Sequence, residues 1–223
     1  MKRLLFLIWL LVALPSMAQQ ISGTASGHPY VDLGLPSGTL WATTNIGAKN
    51  PWECGDYFAW GETTSKSEYD WSTYKYVNVA SNKLTKYCNT SDKGNNGYTD
   101  SRTTLERSDD AAAANWGSDW CMSTLDQIKE LKDKCTWTWT TNYDIEGYEV
   151  TGPNGNSLFL PASGYRGGSE LGGVGGSGYF WSCLLTESNP NDAVSLWFDS
   201  FDVDWDGISR CIGFTVRPVR CRN

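Results

Sequence analysis

Gly178-Tyr179-Phe180-Trp181-Ser182, Val194-Ser195-Leu196-Trp197-Phe198-Asp199 and Gly213-Phe214-Thr215-Val216-Arg217-Pro218-Val219 are the segments on which the reading of this chain turns. In the middle segment, Val194, Leu196 and Phe198 alternate with Ser195, Trp197 and Asp199. That period of two predicts a strand with the first three residues facing a core and the others facing away. An outward Trp beside Asp suits recognition better than a solvated face, because rigid aromatic area costs little entropy to present. The structural alternative is that a loop covers Trp197 and buries it. Among these posts stand Cys183, Leu184, Leu185, Ser195, Trp197, Asp199, Phe201, Asp202, Asp204, Asp206, Ile208, Ser209, Cys211 and Ile212. They mix thiols, aliphatics, carboxylates and aromatics, and no single packing rule explains the set. A stiff aromatic frame with chemically unrestricted positions reads as a binding surface, and these residues are the candidate ligand-binding set.

Upstream, Tyr30–Leu33 and Thr39–Ala42 flank Pro36-Ser37-Gly38 and predict strand, turn, strand. Tyr57–Trp60 reads as another buried strand, ended by Gly61. Residues 62–107 are rich in Ser, Thr, Asn, Lys and Tyr with little periodicity, which predicts an elaborated loop region or an insertion. A short helix is expected from Asp109. A better specified one follows, with Ser123 as cap, Asp126 three residues on, and Leu125, Ile128 and Leu131 on one face, ending near Lys134. Thr136-Trp137-Thr138-Trp139-Thr140 alternates strictly, as a strand with both indoles on one side. Tyr148–Val150, the turn Pro153-Asn154-Gly155-Asn156 and Ser157–Leu160 predict a hairpin, and the glycine-rich run 167–178 separates it from the last strands. Strands, a little helix, then many short strands indicate an α+β fold built on small antiparallel sheets, with two short helices and long loops.

The first residues read as a processing signal. Lys2 and Arg3 precede an apolar run from Leu4 to Pro15, and Ser16-Met17-Ala18 supplies small residues before a cleavage site. Residues 1–18 are therefore an expected signal peptide, 19–27 a short flexible lead, and 28–223 one domain. No second long apolar stretch follows, so the expectation is an exported protein with no membrane insertion of the mature chain, in the periplasm, at the surface or secreted. Loss of Lys2 and Arg3 takes the formal charge from −7 to −9, which argues against nucleic acid as a partner. The seven cysteines are an odd number for an exported chain. Cys121 and Cys135, bracketing the second helix, are the expected local disulfide.

Other motifs carry less. Asp202-Val203-Asp204-Trp205-Asp206-Gly207 imitates the start of a calcium loop, but Gly213 stands where the twelfth-position carboxylate is needed. Gly173-Val174-Gly175-Gly176-Ser177-Gly178 spells GxGxxG outside a strand-to-helix turn and reads as loop. His28, the single histidine, reads as a surface residue beside a strand. No metal and no cofactor is expected.

Several motifs in order resemble the Fibrobacter succinogenes major paralogous domain family: residues 30–42, Gly55-Asp56-Tyr57-Phe58-Ala59-Trp60-Gly61-Glu62-Thr63, Phe159-Leu160-Pro161-Ala162-Ser163-Gly164-Tyr165-Arg166, 178–182 and 213–220. The resemblance implies a C-type-lectin-like fold and an exported protein of a kind abundant in Bacteroidetes-type bacteria. Residues 178–220 resemble the variable region of a diversity-generating retroelement target, where template adenines are randomised and the frame is kept. Asp199, Asp202, Asp204, Asp206, Ser195, Cys183, Cys211, Phe201 and Ile212 are types reachable from an asparagine codon by changing its adenines; Trp197 is not. Calcium-dependent lectins of this fold use motifs that Asn189-Pro190-Asn191-Asp192 and Trp197-Phe198-Asp199 match incompletely. The oxidases of the fold use a reactive cysteine pair with copper, and no oxidase motif surrounds Cys183 or Cys211. The expected function is thus a non-catalytic adhesin or receptor for an unknown protein or glycan ligand, the alternatives being a structural module of a surface or fimbrial assembly and, behind it, an oxidase.

Overall fold

A computed structural model describes residues 20–221. The expected signal peptide lies outside the described residues. In chain order the strands begin with β1 (Gly23–Ala25), β2 (His28–Asp32), β3 (Leu40–Ala42), β4 (Val77–Asn78) and β5 (Lys83–Leu84). Helix α1 (Ala111–Trp116), β6 (Trp120–Cys121) and helix α2 (Leu125–Lys134) follow. Then come β7 (Thr136–Asn142), β8 (Ile145–Thr151), β9 (Ser157–Pro161), β10 (Ser163–Gly167) and β11 (Glu170–Val174). The chain closes with β12 (Ser177–Leu185), β13 (Asp192–Asp199), β14 (Val203–Ser209) and β15 (Val219–Arg220). Small, mainly antiparallel sheets with two helices make this an α+β fold, as the order of sequence patterns predicts.

One sheet runs β1-β2-β3-β15-β6 and joins the two ends of the domain. The expected flexible lead is wrong in part: Gly23–Ala25 pairs with β2 in register Gly23↔Tyr30, and the Trp120 indole donates to the Ala25 carbonyl at 3.1 Å. The Cys121–Cys135 expectation is also overturned. Cys121 is bonded to Cys221, 100 residues away, and Cys135 is a free thiol. β6 pairs with β15, which brings the chain end beside Cys121, whereas Cys135 leaves α2 in extended backbone at the far end of that helix.

Helix α2 starts one residue later than its expected cap. Thr124 accepts the Gln127 amide and the Gln127 side chain answers the Thr124 amide, a reciprocal box with an amide in place of the expected acid. Ser123 instead lends its carbonyl to Cys183. Ile128 and Leu131 bury one face against β12 and β14. Residues 57–60 are buried as expected but form no ladder, Phe58 alone bridging to Phe214. The irregular segment 62–107 is anchored: Tyr69, Tyr74, Tyr76 and Tyr87 are all core residues. The glycine-rich run is no mere spacer, since it contains β11, hairpinned to β10.

The central sheet, ordered β11-β10-β12-β13-β14, divides the core in two. Phe180, Leu196 and Phe198 look toward α2 and the β7-β8-β9 sheet, where Phe198 meets Trp137, Trp139 and Tyr148. On the other side the Trp181 ring packs at a tilt against Phe214 with centroids 4.3 Å apart and donates its indole N–H to the Phe58 carbonyl at 2.8 Å. Two buried arginines tie the closing segment down through backbone carbonyls and one side-chain amide. Arg210 donates to the Tyr87, Pro190 and Lys86 carbonyls at 2.8–2.9 Å, between the Trp60 and Tyr74 rings. Arg217 donates to Asn45 Oδ1 at 2.7 Å and to the Phe159 carbonyl at 3.0 Å, and its burial pulls its pKa down to about 9. Gly178 is required because the Phe198 ring lies over it; a Cβ there would come 2.2 Å from that ring.

Candidate ligand-binding face

β12, β13 and β14 bring the decorated positions together, and the ladder decides which of them meet solvent. Opposed pairs share a side in an antiparallel sheet. Tyr179, Trp197 and Asp204 therefore form one row across three strands, and Trp181, Ser195 and Asp206 the next. Val194, Leu196 and Phe198 are buried, as the alternation predicts, while Trp197 and Asp199 are half-buried.

Ser195 departs from the expectation. It is fully buried beside its ladder partner Trp181, whose ring packs on Phe214 in the core. Cys183, Leu185 and Cys211 are buried as well, contrary to the expectation that they contact a ligand. At Cys183 the strand leaves the ladder in a register shift and bonds Ser123 and Leu105. Burial pushes the Cys183 thiol up to about 12 and raises that of Cys211, so neither is poised as a thiolate. Leu184, Ile208 and Ile212 are half-buried and pack partly on the core; Ser209, also half-buried, lies 3.4 Å from the Cys211 sulfur.

Phe201 projects from the β13–β14 turn at 94% exposure, with Asp202 exposed beside it. Asp199 is a turn former: its Oδ1 accepts the amides of Phe201 and Asp202 at 2.8 and 3.0 Å. The remaining acids have a structural task too. Bonds from the Asp199 amide to the Asp202 carbonyl and from the Arg210 amide to the Asn191 carbonyl fix the alternation of the hairpin. By that alternation the amides of Val203, Trp205 and Gly207 point to the open edge. Asp202, Asp204 and Asp206 each accept the amide that follows them, at 2.8, 2.9 and 2.7 Å. Lys132 of α2 also reaches Asp204 Oδ1 at 2.8 Å, and that hydrogen bond holds the Asp204 carboxyl below its ordinary range.

Two members of the face come from the frame and were not in the candidate set. Tyr179 is half-buried, stacked on Phe214 at 4.8 Å, and the Tyr165 ring meets its edge at 5.7 Å. Tyr165, 40% exposed, continues the row to β10. A Cβ on Gly167 would lie 3.8 Å from both Ile212 and the Tyr165 ring, so Ile212 joins the same patch. The alternation Gly164-Tyr165-Arg166 was the available signal for Tyr165.

Elsewhere, a cleft of about 390 Å³ runs past the Cys121–Cys221 bond, Arg107, Asp110 and Cys183, and a polar one of about 310 Å³ lies by Ser37 and Glu130 at the start of α2. His28 is half-buried, stacked on Trp116 at 3.8 Å. Among the described residues no group of three or more His, Cys, Asp or Glu is placed to hold a metal ion, and no helix is long and apolar enough to cross a membrane. No protein-family model, curated protein or solved structure matches the chain.

Proposed function

We propose that this is an exported, non-catalytic ligand-binding protein of adhesin or receptor type, with a C-type-lectin-like fold, whose ligand rests on the Tyr165–Tyr179–Trp197 face. One observation carries the reading: an aromatic row, Tyr165, Tyr179 and Trp197, crosses three adjacent strands, with the carboxylates of Asp204 and Asp206 at the β14 edge beyond it. Aromatic faces offer stacking area to a sugar ring or to the methylenes of a basic side chain, and the acids beside them offer acceptors to hydroxyls or cations. A hydroxyl-rich or basic ligand is the class that fits.

The frame supports a diversifiable surface. Gly178, Phe198, Trp181, Arg210 and Arg217 hold the strands through core packing and backbone bonds. Phe201, Asp202, Asp206, Trp197, Ile208 and Ile212 decorate them, so substitution there redirects binding at little cost in ordering. Buried, protonated Cys183 and Cys211 supply no activated thiol, which favours binding over oxidase chemistry.

The test is biolayer interferometry of the chain from Gln19 onward against immobilised oligosaccharides and Lys/Arg-rich peptides. Retention on one of these classes, abolished by Trp197→Ala with thermal stability kept, is the expected result. Equal retention by wild type and the Trp197 variant would remove the face from consideration.

A further inference from the structure

Residues 168–209, from the β10–β11 turn to the end of β14, contain seven carboxylates and no Lys, Arg or His. Two of those acids flank Trp197. Asp199 follows it on the same side of β13, and Asp204 stands directly opposite it across the ladder to β14. Both acids use only Oδ1 inside the protein: Asp199 on the amides of Phe201 and Asp202, Asp204 on the Trp205 amide and Lys132. Among the described residues no donor reaches Oδ2 of either.

Nearby cations are engaged elsewhere. Arg166, next to Tyr165 in β10, lies over the Tyr57 ring at 5.4 Å, and Lys66 is bonded to Glu62 and the Thr73 carbonyl. Among the described residues no cation lies over Tyr165, Tyr179 or Trp197. The α2 side of the same hairpin differs. Trp205, opposite Leu196, carries the Lys129 ammonium 5.0 Å from its ring, and Lys132, three residues on, bonds Asp204 at 2.8 Å. There β14 holds basic side chains of α2 with an aromatic ring and a carboxylate. The Trp197 side presents the same two groups with no cation between them.

Resting on the Trp197 face as the ligand site, we propose that its ligand is an arginine-bearing segment of a partner protein. One guanidinium lies on the Trp197 indole and donates to Oδ2 of Asp199 and of Asp204. A guanidinium suits the place better than an ammonium, because its flat face stacks on a ring while its N–H groups bond carboxylates in its own plane. A neutral sugar would desolvate these carboxylates without neutralising them. Tyr179 and Tyr165 extend the strip beyond one side chain, as a peptide with successive residues requires. Lys132 competes with the ligand, since it already shares Asp204.

Biolayer interferometry of the chain from Gln19 onward tests this with an immobilised Arg-Ser repeat peptide, the same peptide with uncharged citrulline for arginine, and a panel of oligosaccharides. The arginine peptide should bind at least about tenfold tighter than the citrulline one, and more weakly as NaCl rises. Asp199→Asn and Asp204→Asn keep an oxygen for the amides they serve, so the fold stands while affinity should fall about fivefold in each. Lys132→Met frees Asp204 and should tighten binding about twofold. Glu187→Gln, an exposed acid between β12 and β13, should leave binding unchanged, which separates this seat from net charge. No retention of the arginine peptide, equal retention of the citrulline one, or equal losses in Glu187→Gln and Asp199→Asn overturns the proposal. Oligosaccharide retention that Trp197→Ala abolishes, without arginine-peptide retention, overturns the cationic ligand and leaves the face standing. Arginine-peptide retention indifferent to Trp197→Ala overturns both.

Discussion

Trp197 lies directly across the β12–β13 ladder from Tyr179, whose ring is stacked on the buried Phe214. One indole is therefore a presented surface and its neighbour is half surface, half core. Trp197→Ala should cost about 1 kcal/mol of stability or less while reducing ligand retention by at least about tenfold, as central aromatic contacts do. Tyr179→Ala should lose both, measured by interferometry and urea denaturation on the same samples.

Burial separates the decorated positions into two groups with different outcomes. Leu185→Ala opens a cavity in the core and should cost about 2–5 kcal/mol in urea unfolding. Phe201→Ser, at 94% exposure, should stay within about 0.5 kcal/mol.

Cys121–Cys221 spans a sequence separation of 100 residues and pins the residue after β15 to β6, its neighbour in the first sheet. Cys221→Ser should cost about 2–5 kcal/mol, mostly through a less constrained unfolded chain. Thiol titration in denaturant without reductant should count the five free cysteines, and peptide mapping should find Cys135 alkylated.

Acid should loosen the segment 62–107 first. Burial alone would raise the Asp109 pKa, but bonds from Lys86, Tyr87 and Lys75 hold it well below the ordinary carboxylate range. A depressed folded pKa gives stability that is present above the unfolded value, about pH 4, and is lost as pH falls through the folded one. Asp110, raised by burial, acts in the opposite sense. Unfolding free energy should thus decline below about pH 4, and Asp109→Asn should flatten that decline.

The β14 edge should depend on acceptors more than on charge. Replacing Asp202, Asp204 and Asp206 with Asn keeps an oxygen for each following amide, and light scattering should show no new association. Replacing all three with Ala frees those amides and should produce association at the same concentration.

Much of this was readable in advance because alternation and packing agree. Val194, Leu196 and Phe198 are core, Trp137 and Trp139 share a side, and the hairpin of β8 and β9 turns at Pro153–Asn156. What was not readable depends on long-range partners. Ser195 alternates like a surface residue, yet it is buried beside its ladder partner Trp181, which belongs to the core. Cys121 has a nearer cysteine in sequence, but β15 delivers Cys221 to it. The tyrosines of segment 62–107 have no period, since each is buried by a different element. The aspartates of β14 looked like free contacts; their bonds to the following amides are set by which edge of the strand lies open.

The most direct measurement is a displayed library in which Trp197, Phe201, Asp202, Asp206, Ile208 and Ile212 are randomised together, challenged first by protease and then with immobilised oligosaccharides and basic peptides. A frame that stands without its decorations predicts that most members survive the protease and that survivors differ in what they bind. Widespread proteolysis of the library, or survivors that all bind alike, would contradict it.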